Sequence, residues 1–290
     1  MKKVIGIYKA PRQHWVGDGF HVSSLFSYGN HGKYLNPFLL LDRAGPTDFP
    51  ASTDHNRGVG EHPHRGFETV TIVYKGEVAH HDSTGEGGVI GPGDVQWMTA
   101  ASGILHQEYH SDAFTKQGGI LDMVQLWVNL PSEAKSAPAG YQLLKQSHIP
   151  VISLPDNAGN LRIIAGEYQD TNGAAKTFSP VDVWDLQLKA TKSVSLPSKK
   201  NRHVGLVVLH GSIYLDNQTQ LQTGDLVILD NQGGLINIEA IEDALVLFLS
   251  GEPINEPVVG YGPFVMNSEA EIRQAVDDFN QGKFGRIPNE

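Results

Sequence analysis

The 290-residue sequence predicts an all-β fold: two small antiparallel barrels of jelly-roll type, followed by a short C-terminal helix. Three observations lead there. Apolar runs are short and broken by Gly, Pro, Asn and Asp, with 32 glycines in the chain. β-Branched residues dominate those runs, as a pleated, half-buried surface favours. One strand–turn–strand pattern also occurs twice, which is how a repeated structural unit declares itself in sequence.

In the first copy, Thr69-Val70-Thr71-Ile72-Val73-Tyr74-Lys75-Gly76-Glu77-Val78 leads to Gly91-Pro92-Gly93-Asp94-Val95-Gln96-Trp97. In the second, Val207-Val208-Leu209-His210-Gly211-Ser212-Ile213-Tyr214-Leu215 leads to Thr223-Gly224-Asp225-Leu226-Val227-Ile228-Leu229. Each reads as a strand, a glycine turn, a second strand and a Gly-Asp turn that opens a third. The boundary is expected between Leu130 and Pro150, where Pro131, Pro138, Gly140 and Pro150 punctuate a polar stretch. Residues 1–138 then form an N-terminal barrel, and 139–290 a C-terminal barrel with the terminal helix. Ser268 and Glu271 have the spacing of a capping box, and Ile272, Ala275, Val276 and Phe279 share one face of a helix ending near Gly282. That face needs a partner surface.

Composition removes several classes of function. With no cysteine, disulfides, thiolate metal sites and cysteine nucleophiles are excluded. A formal charge of -10 repels phosphate backbones, so direct nucleic-acid binding is not expected, although a DNA-binding protein partner is compatible with it. No apolar run has the length of a membrane span, and the stretch Val4 to Tyr8 is too short for a signal-peptide core. The expected location is cytoplasmic.

The chemistry lies in His62-Pro63-His64 and His106-Gln107-Glu108. Residues two apart in a strand point to the same side, so each pair can aim both side chains into one barrel. Imidazole and carboxylate together suit iron, manganese, cobalt, nickel, copper or zinc. Pro63 has no N–H for a ladder, which places this pair at a strand edge or start near a barrel mouth. One His-x-His among 13 histidines is a weak signal; a second pair of equal spacing after a Pro-Gly-Asp turn makes a metal site the expectation. The same offsets in the second copy fall on Pro197, Lys199, Asn237 and Glu239, so the second barrel is expected to be metal-free.

The block His62-Pro63-His64-Arg65-Gly66-Phe67-Glu68-Thr69-Val70-Thr71 resembles the first signature of the pirins, members of the cupin superfamily. So do Ile90-Gly91-Pro92-Gly93-Asp94-Val95-Gln96-Trp97-Met98-Thr99-Ala100, Gly103-Ile104-Leu105-His106-Gln107-Glu108 and Gln125-Leu126-Trp127-Val128-Asn129-Leu130-Pro131. Gly251-Glu252-Pro253 and Gly262-Pro263-Phe264-Val265-Met266-Asn267 are similar to the family's C-terminal half. The resemblance spans almost the whole chain. It implies two stacked cupin barrels, a bicupin, with one iron ion in the N-terminal barrel held by His62, His64, His106 and Glu108. In cupins more widely, a glutamate soon after the His-x-His pair is a ligand. Glu68 is near that position and is read as an inward residue beside the metal shell. Family analogy also puts Gln96, Met98, Gln125 and Trp127 along the pocket.

Some pirins are similar to flavonol dioxygenases, which open the central ring of quercetin and release carbon monoxide. The resemblance thus implies a quercetin 2,3-dioxygenase type of oxidoreductase taking a flavonol-like aromatic molecule and O2. The metal would act as a Lewis acid toward the flavonol 3-oxygen, and Glu108 as the base for the 3-hydroxyl proton. The alternative it implies is a non-catalytic, iron-based redox sensor that binds a transcription factor or metabolic enzyme. His80 and His81 are expected at the surface, since alternation turns at least one outward; Arg65 is read as an ion-pair residue, and His203 is given no metal role.

Overall fold

A computed structural model describes residues 2–288. Packing divides the chain into two units of one build, each with a seven-stranded and a four-stranded antiparallel sheet. In the first unit the larger sheet runs in the order Gly140–Leu144, Val95–Thr99, Phe67–Lys75, Gly119–Asn129, Phe38–Phe49, Phe20–Ser27, His14–Val16. The smaller runs Gly58–His64, Ile104–His110, Val78–Asp82, Gly87–Ile90. In the second unit the larger order is Val4–Tyr8, Leu226–Leu229, His203–His210, Ala244–Gly251, Val181–Leu188, Gly159–Ala165, Val151–Ser153. The smaller is Ser193–Ser198, Gly234–Ala240, Ser212–Leu215, Thr219–Gln222. The repeat foretells two such units, and the pirin resemblance implies that they are cupin folds.

The repeated turns are built alike. Gly76 and Gly211 take φ of 80° and 75°, and a Cβ on Gly211 would come within 2.3 Å of the Asp243 carbonyl oxygen. At the Gly-Asp turns, the N–H groups of Gly93 and Gly224 each donate over 2.8 Å, to the carbonyls of Val73 and Val208. The Asp94 carboxylate accepts from the Gly91 N–H at 3.1 Å, and that of Asp225 from the Gln222 N–H at 3.0 Å. One turn chemistry is therefore used twice to launch equivalent strands.

The units do not meet at a single cut. The expected boundary at 138/139 falls just before Gly140–Leu144, yet this strand pairs with Val95–Thr99, Gly140 opposite Thr99. The division comes at Gln146/Ser147. Strand Val4–Tyr8 pairs with Leu226–Leu229 and counts with the second unit, whereas residues from Ile254 onward count with the first. Prolines mark where a chain turns; which sheet edge receives the next strand is decided by long-range hydrogen bonds.

The terminal helix, Glu269–Asn280, starts as a capping box: Ser268 Oγ accepts from the Glu271 N–H, and Glu271 accepts from the Asn267 N–H at 3.1 Å. Its Ile272 and Ala275 pack with Leu105, Phe264, Met266 and Phe284, so the apolar face covers the first unit behind His106 rather than the second. Arg65 fastens it through a 2.7 Å ion pair with Asp278. The buried Lys135 donates to the carbonyls of Gly66 (2.6 Å) and Val265 (3.0 Å), tying the hairpin Val259–Tyr261/Phe264–Met266 to the end of the histidine strand. Among the described residues no helix is long and apolar enough to cross a membrane.

Candidate metal centre

Strand Gly58–His64 is the edge of the four-stranded sheet, where a proline is tolerated because one row of N–H groups has no ladder partner. It runs antiparallel to Ile104–His110 with His62 opposite His106 and His64 opposite Ile104. Two-residue spacing turns the His62 and His64 rings to one side, 4.9 Å apart, and the His106 ring lies 4.2 Å from the first and 4.7 Å from the second. One ring nitrogen from each falls within 4.8 Å of the others.

The local bonds orient these rings. His62 Nδ1 lies 2.8 Å from the Gly60 carbonyl, so Nδ1 is the donor there and Nε2 is the nitrogen left for a ligand. His64 donates to the Pro263 carbonyl, which leaves its Nδ1 buried without a partner. Nε2 of the fully buried His106 is likewise without a partner. Burial holds both His64 and His106 well below the usual histidine range, and the neighbouring histidines add to the effect. Neutral His64 and His106, each with a buried, unsatisfied nitrogen, and a His62 nitrogen within 4.8 Å of both make a donor set that fits a transition metal.

Glu108, two residues beyond His106, accepts from Gln125 Nε2 at 3.1 Å and from the Thr71 hydroxyl at 3.4 Å. Its carboxylate shares a second close group, with His106 and His80, rather than lying within 4.8 Å of all three other histidine nitrogens. His106 is common to both groups.

Beside these residues opens a cavity of about 330 Å³. Val16, Phe20, Val22, Ala44, Val59 and Met123 give it apolar walls; His62, His64, Glu108, Gln125, Trp127 and Asp42 add polar and aromatic groups, and Gly262 and Pro263 complete the lining. The Trp127 ring stacks on Phe67 at 4.3 Å and meets His64 edge-on at 5.4 Å. Asp42 has one carboxylate oxygen buried without a partner, and burial pushes its carboxyl above the ordinary carboxylate range, making it the weaker acid. Nothing in its sequence surroundings singles it out.

Of the other residues proposed from sequence, Gln125 and Trp127 line the cavity, and Gln96 reaches the site's rear, donating to His80 Nδ1 at 2.9 Å. Met98 packs with Ala100, Ile104 and Tyr141, away from the cavity lining. Glu68 does not face the site. Phe67 and Thr71 on the same strand touch His64 and Glu108, so alternation turns Glu68 to the opposite face, where the Thr99 hydroxyl donates to it at 2.8 Å. Parity counted from His64 fails because Gly66, at φ 91°, breaks the strand and resets its phase. His80, expected at the surface, is fully buried against His106, while His81 takes the outward position. His110 is structural: its Nε2 bonds the Gly19 carbonyl at 2.9 Å among Phe20, Phe49 and Phe114.

Known proteins resemble this chain in sequence and fold. The Pirin family model matches residues 19–128, and that of the Pirin C-terminal cupin domain matches 183–285. The chain is 57% identical over 286 residues to a Pseudomonas aeruginosa protein that carries the name "Putative quercetin 2,3-dioxygenase PA2418", with 99% of each covered. It is 37% identical over 254 residues to the pirin-like protein of Caulobacter vibrioides, covering 87% of this chain and 88% of that one. The crystal structure of quercetin 2,3-dioxygenase from Acinetobacter baumannii superposes with a TM-score of 0.96 at 51% identity, over 99% of this chain and 100% of that one. Bacterial pirin YhhW from Escherichia coli, in complex with nickel(II), shares the fold at 22% identity, with a TM-score of 0.64 over 86% of this chain and all of that one. With both family domains matched and relatives aligned along nearly its full length, the chain belongs to the pirin family.

Proposed function

We propose that this pirin is a metal-dependent dioxygenase of quercetin type, with one iron ion held by His62, His64, His106 and Glu108. The observation that carries the reading is the junction of two features: three histidine nitrogens within 4.8 Å of one another, those of His64 and His106 including buried unpartnered ones, and an apolar-walled cavity of about 330 Å³ beside them. That volume lies in the small-ligand range, and flat walls such as Trp127 suit an aromatic molecule. The names borne by the Pseudomonas and Acinetobacter relatives support a flavonol and O2 as reactants. The cytoplasm is the compartment we assign, in keeping with a chain that has no cysteine.

A bound transition metal supplies Lewis acidity and, as iron, a redox centre. The rest falls to the chain. Gln125 and Thr71 hold the Glu108 carboxylate from the opposite sheet, fixing it at the cavity edge where its free lone pairs take the flavonol 3-hydroxyl proton. Val16, Phe20, Val22 and Met123 keep water from the ring system and leave it one flat orientation. Asp42 offers its unpartnered oxygen to a second hydroxyl further along the wall.

Oxygen consumption and carbon monoxide release with quercetin test the reading, with iron-loaded protein beside a His62→Ala/His64→Ala control. Turnover confined to the first establishes the dioxygenase. Metal bound with neither gas changing sinks it, and a redox-reporting regulator that acts through a protein partner takes its place.

A further inference from the structure

Behind His106 lies a chain of buried polar groups that neither the ligand set nor the cavity uses. His80 and Asp82 alternate inward on strand Val78–Asp82, and both are buried. His80 Nε2 faces Asp82 Oδ2 at 3.5 Å, and its Nδ1 lies 3.3 Å from His106 Nδ1. Gln96 Nε2 approaches the same Nδ1 at 2.9 Å, and the ring stacks on Tyr141 at 5.2 Å with 16° between planes. Asp82 is itself fixed, its Oδ1 accepting from the N–H (2.8 Å) and hydroxyl (2.6 Å) of Thr84.

We infer that His80, oriented by Asp82, is a positioning residue that sets the tautomer of His106. The carboxylate draws the His80 proton to Nε2, leaving Nδ1 bare. The one lone pair of that Nδ1 is shared, in a three-centre bond, by the N–H of Gln96 at 2.9 Å and that of His106 at 3.3 Å, so the His106 proton resides on Nδ1 and its unpartnered Nε2 is left for the metal. His80 is thereby occupied on both nitrogens and serves the site through His106. Its place in a close group with His106 and Glu108 comes from this support rather than from ligation.

The inference rests on the metal reading of the site, so the test uses Co2+ affinity, by competition with a chromophoric chelator, together with the absorption spectrum of bound Co2+. Asp82→Asn presents an amide N–H to His80 Nε2, forces the proton onto Nδ1 and turns His106 to the wrong tautomer. His80→Phe keeps the stack on Tyr141 and removes the acceptor. Both are expected to bind Co2+ about 10- to 100-fold more weakly, with an altered spectrum. His80→Asn, which places Oδ1 where Nδ1 was, restores affinity and spectrum. If His80→Phe does not fold, Asp82→Asn decides, its fold checked by thermal unfolding of the metal-free protein. Wild-type affinity and spectrum in Asp82→Asn overturn the positioning role alone. A wild-type chain that takes up no Co2+ overturns the metal reading itself.

Discussion

The two units build one fold around opposite interiors. Counted from Gly76 and Gly211, His80 and Leu215 stand at the same place. Strand pairing carries the match onward: Glu108 lies opposite His80 as Ile238 lies opposite Leu215, and His106 opposite His62 as Ile236 opposite Leu196. Four polar groups in the first unit thus answer to four buried aliphatic residues of one continuous cluster in the second. The sheets tolerate either filling because backbone bonds and repeated turns define them, whereas the interior decides chemistry. A buried imidazole costs stability unless something uses its lone pair; a leucine there contributes packing alone.

The strongest way to break this comparison is to copy one interior into the other. His62→Leu, His80→Leu, His106→Ile and Glu108→Ile together should abolish metal uptake, measured by elemental analysis. Metal-free stability should hold or rise, since replacing buried polar groups by apolar ones of similar volume is often worth about 1–4 kcal/mol. Retained metal would show that the matched positions are not the site. Next in size, Glu108→Gln should lower quercetin turnover by about 10²- to 10⁴-fold, the usual worth of a general base, with assays normalised to bound metal.

Glu68 gives the sharper probe of what lies outside the site. Burial lifts its carboxyl from 4.5 to about 7, so the folded state holds a proton that the unfolded chain releases between those pH values. Stability is therefore lost as pH rises through that window. Glu68→Gln should leave thermal stability unchanged near pH 4, and add roughly 3 kcal/mol above pH 7. A fall at pH 8 would mean that the carboxylate is paired after all. Smallest, metal at 100 times its Kd should stabilise the wild-type chain by about 2.7 kcal/mol, and the four-residue copy not at all, read from thermal shifts.

Much of this was legible in the chain itself. The closeness of His62, His64 and His106 can be read there because strand alternation makes equal spacing mean equal direction, and the strands between them carry a repeat. Misreadings came where alternation was counted through a break. Gly66 resets the phase before Glu68. A one-residue difference shifts the second copy, with His106 thirteen residues after Gly93 and Ile236 twelve after Gly224, so the matched offsets landed on Asn237 and Glu239 instead of Ile236 and Ile238. In strands, one residue is the distance between inside and outside. His80 was hidden differently: beside His81, alternation says that one points in, but not which. Asp42 carries no spacing cue, since its meaning arises only when the strand Phe38–Phe49 is laid beside Gln125.

The interleaving of segments also sets an order of assembly. The chain passes between the two units five times, and the part from Ile254 onward, including cavity-lining Gly262 and Pro263, belongs with the histidines made nearly two hundred residues earlier. On a ribosome adding about 5–20 residues per second, the intervening stretch from Ser147 to Pro253 takes roughly 5 to 20 seconds to emerge. During that interval the His64 ring has no Pro263 carbonyl to hold it and the hairpin beside it does not yet exist. The finished pocket is thus a product of completed translation, and a chain stalled before residue 254 carries the histidines without the wall that orients them.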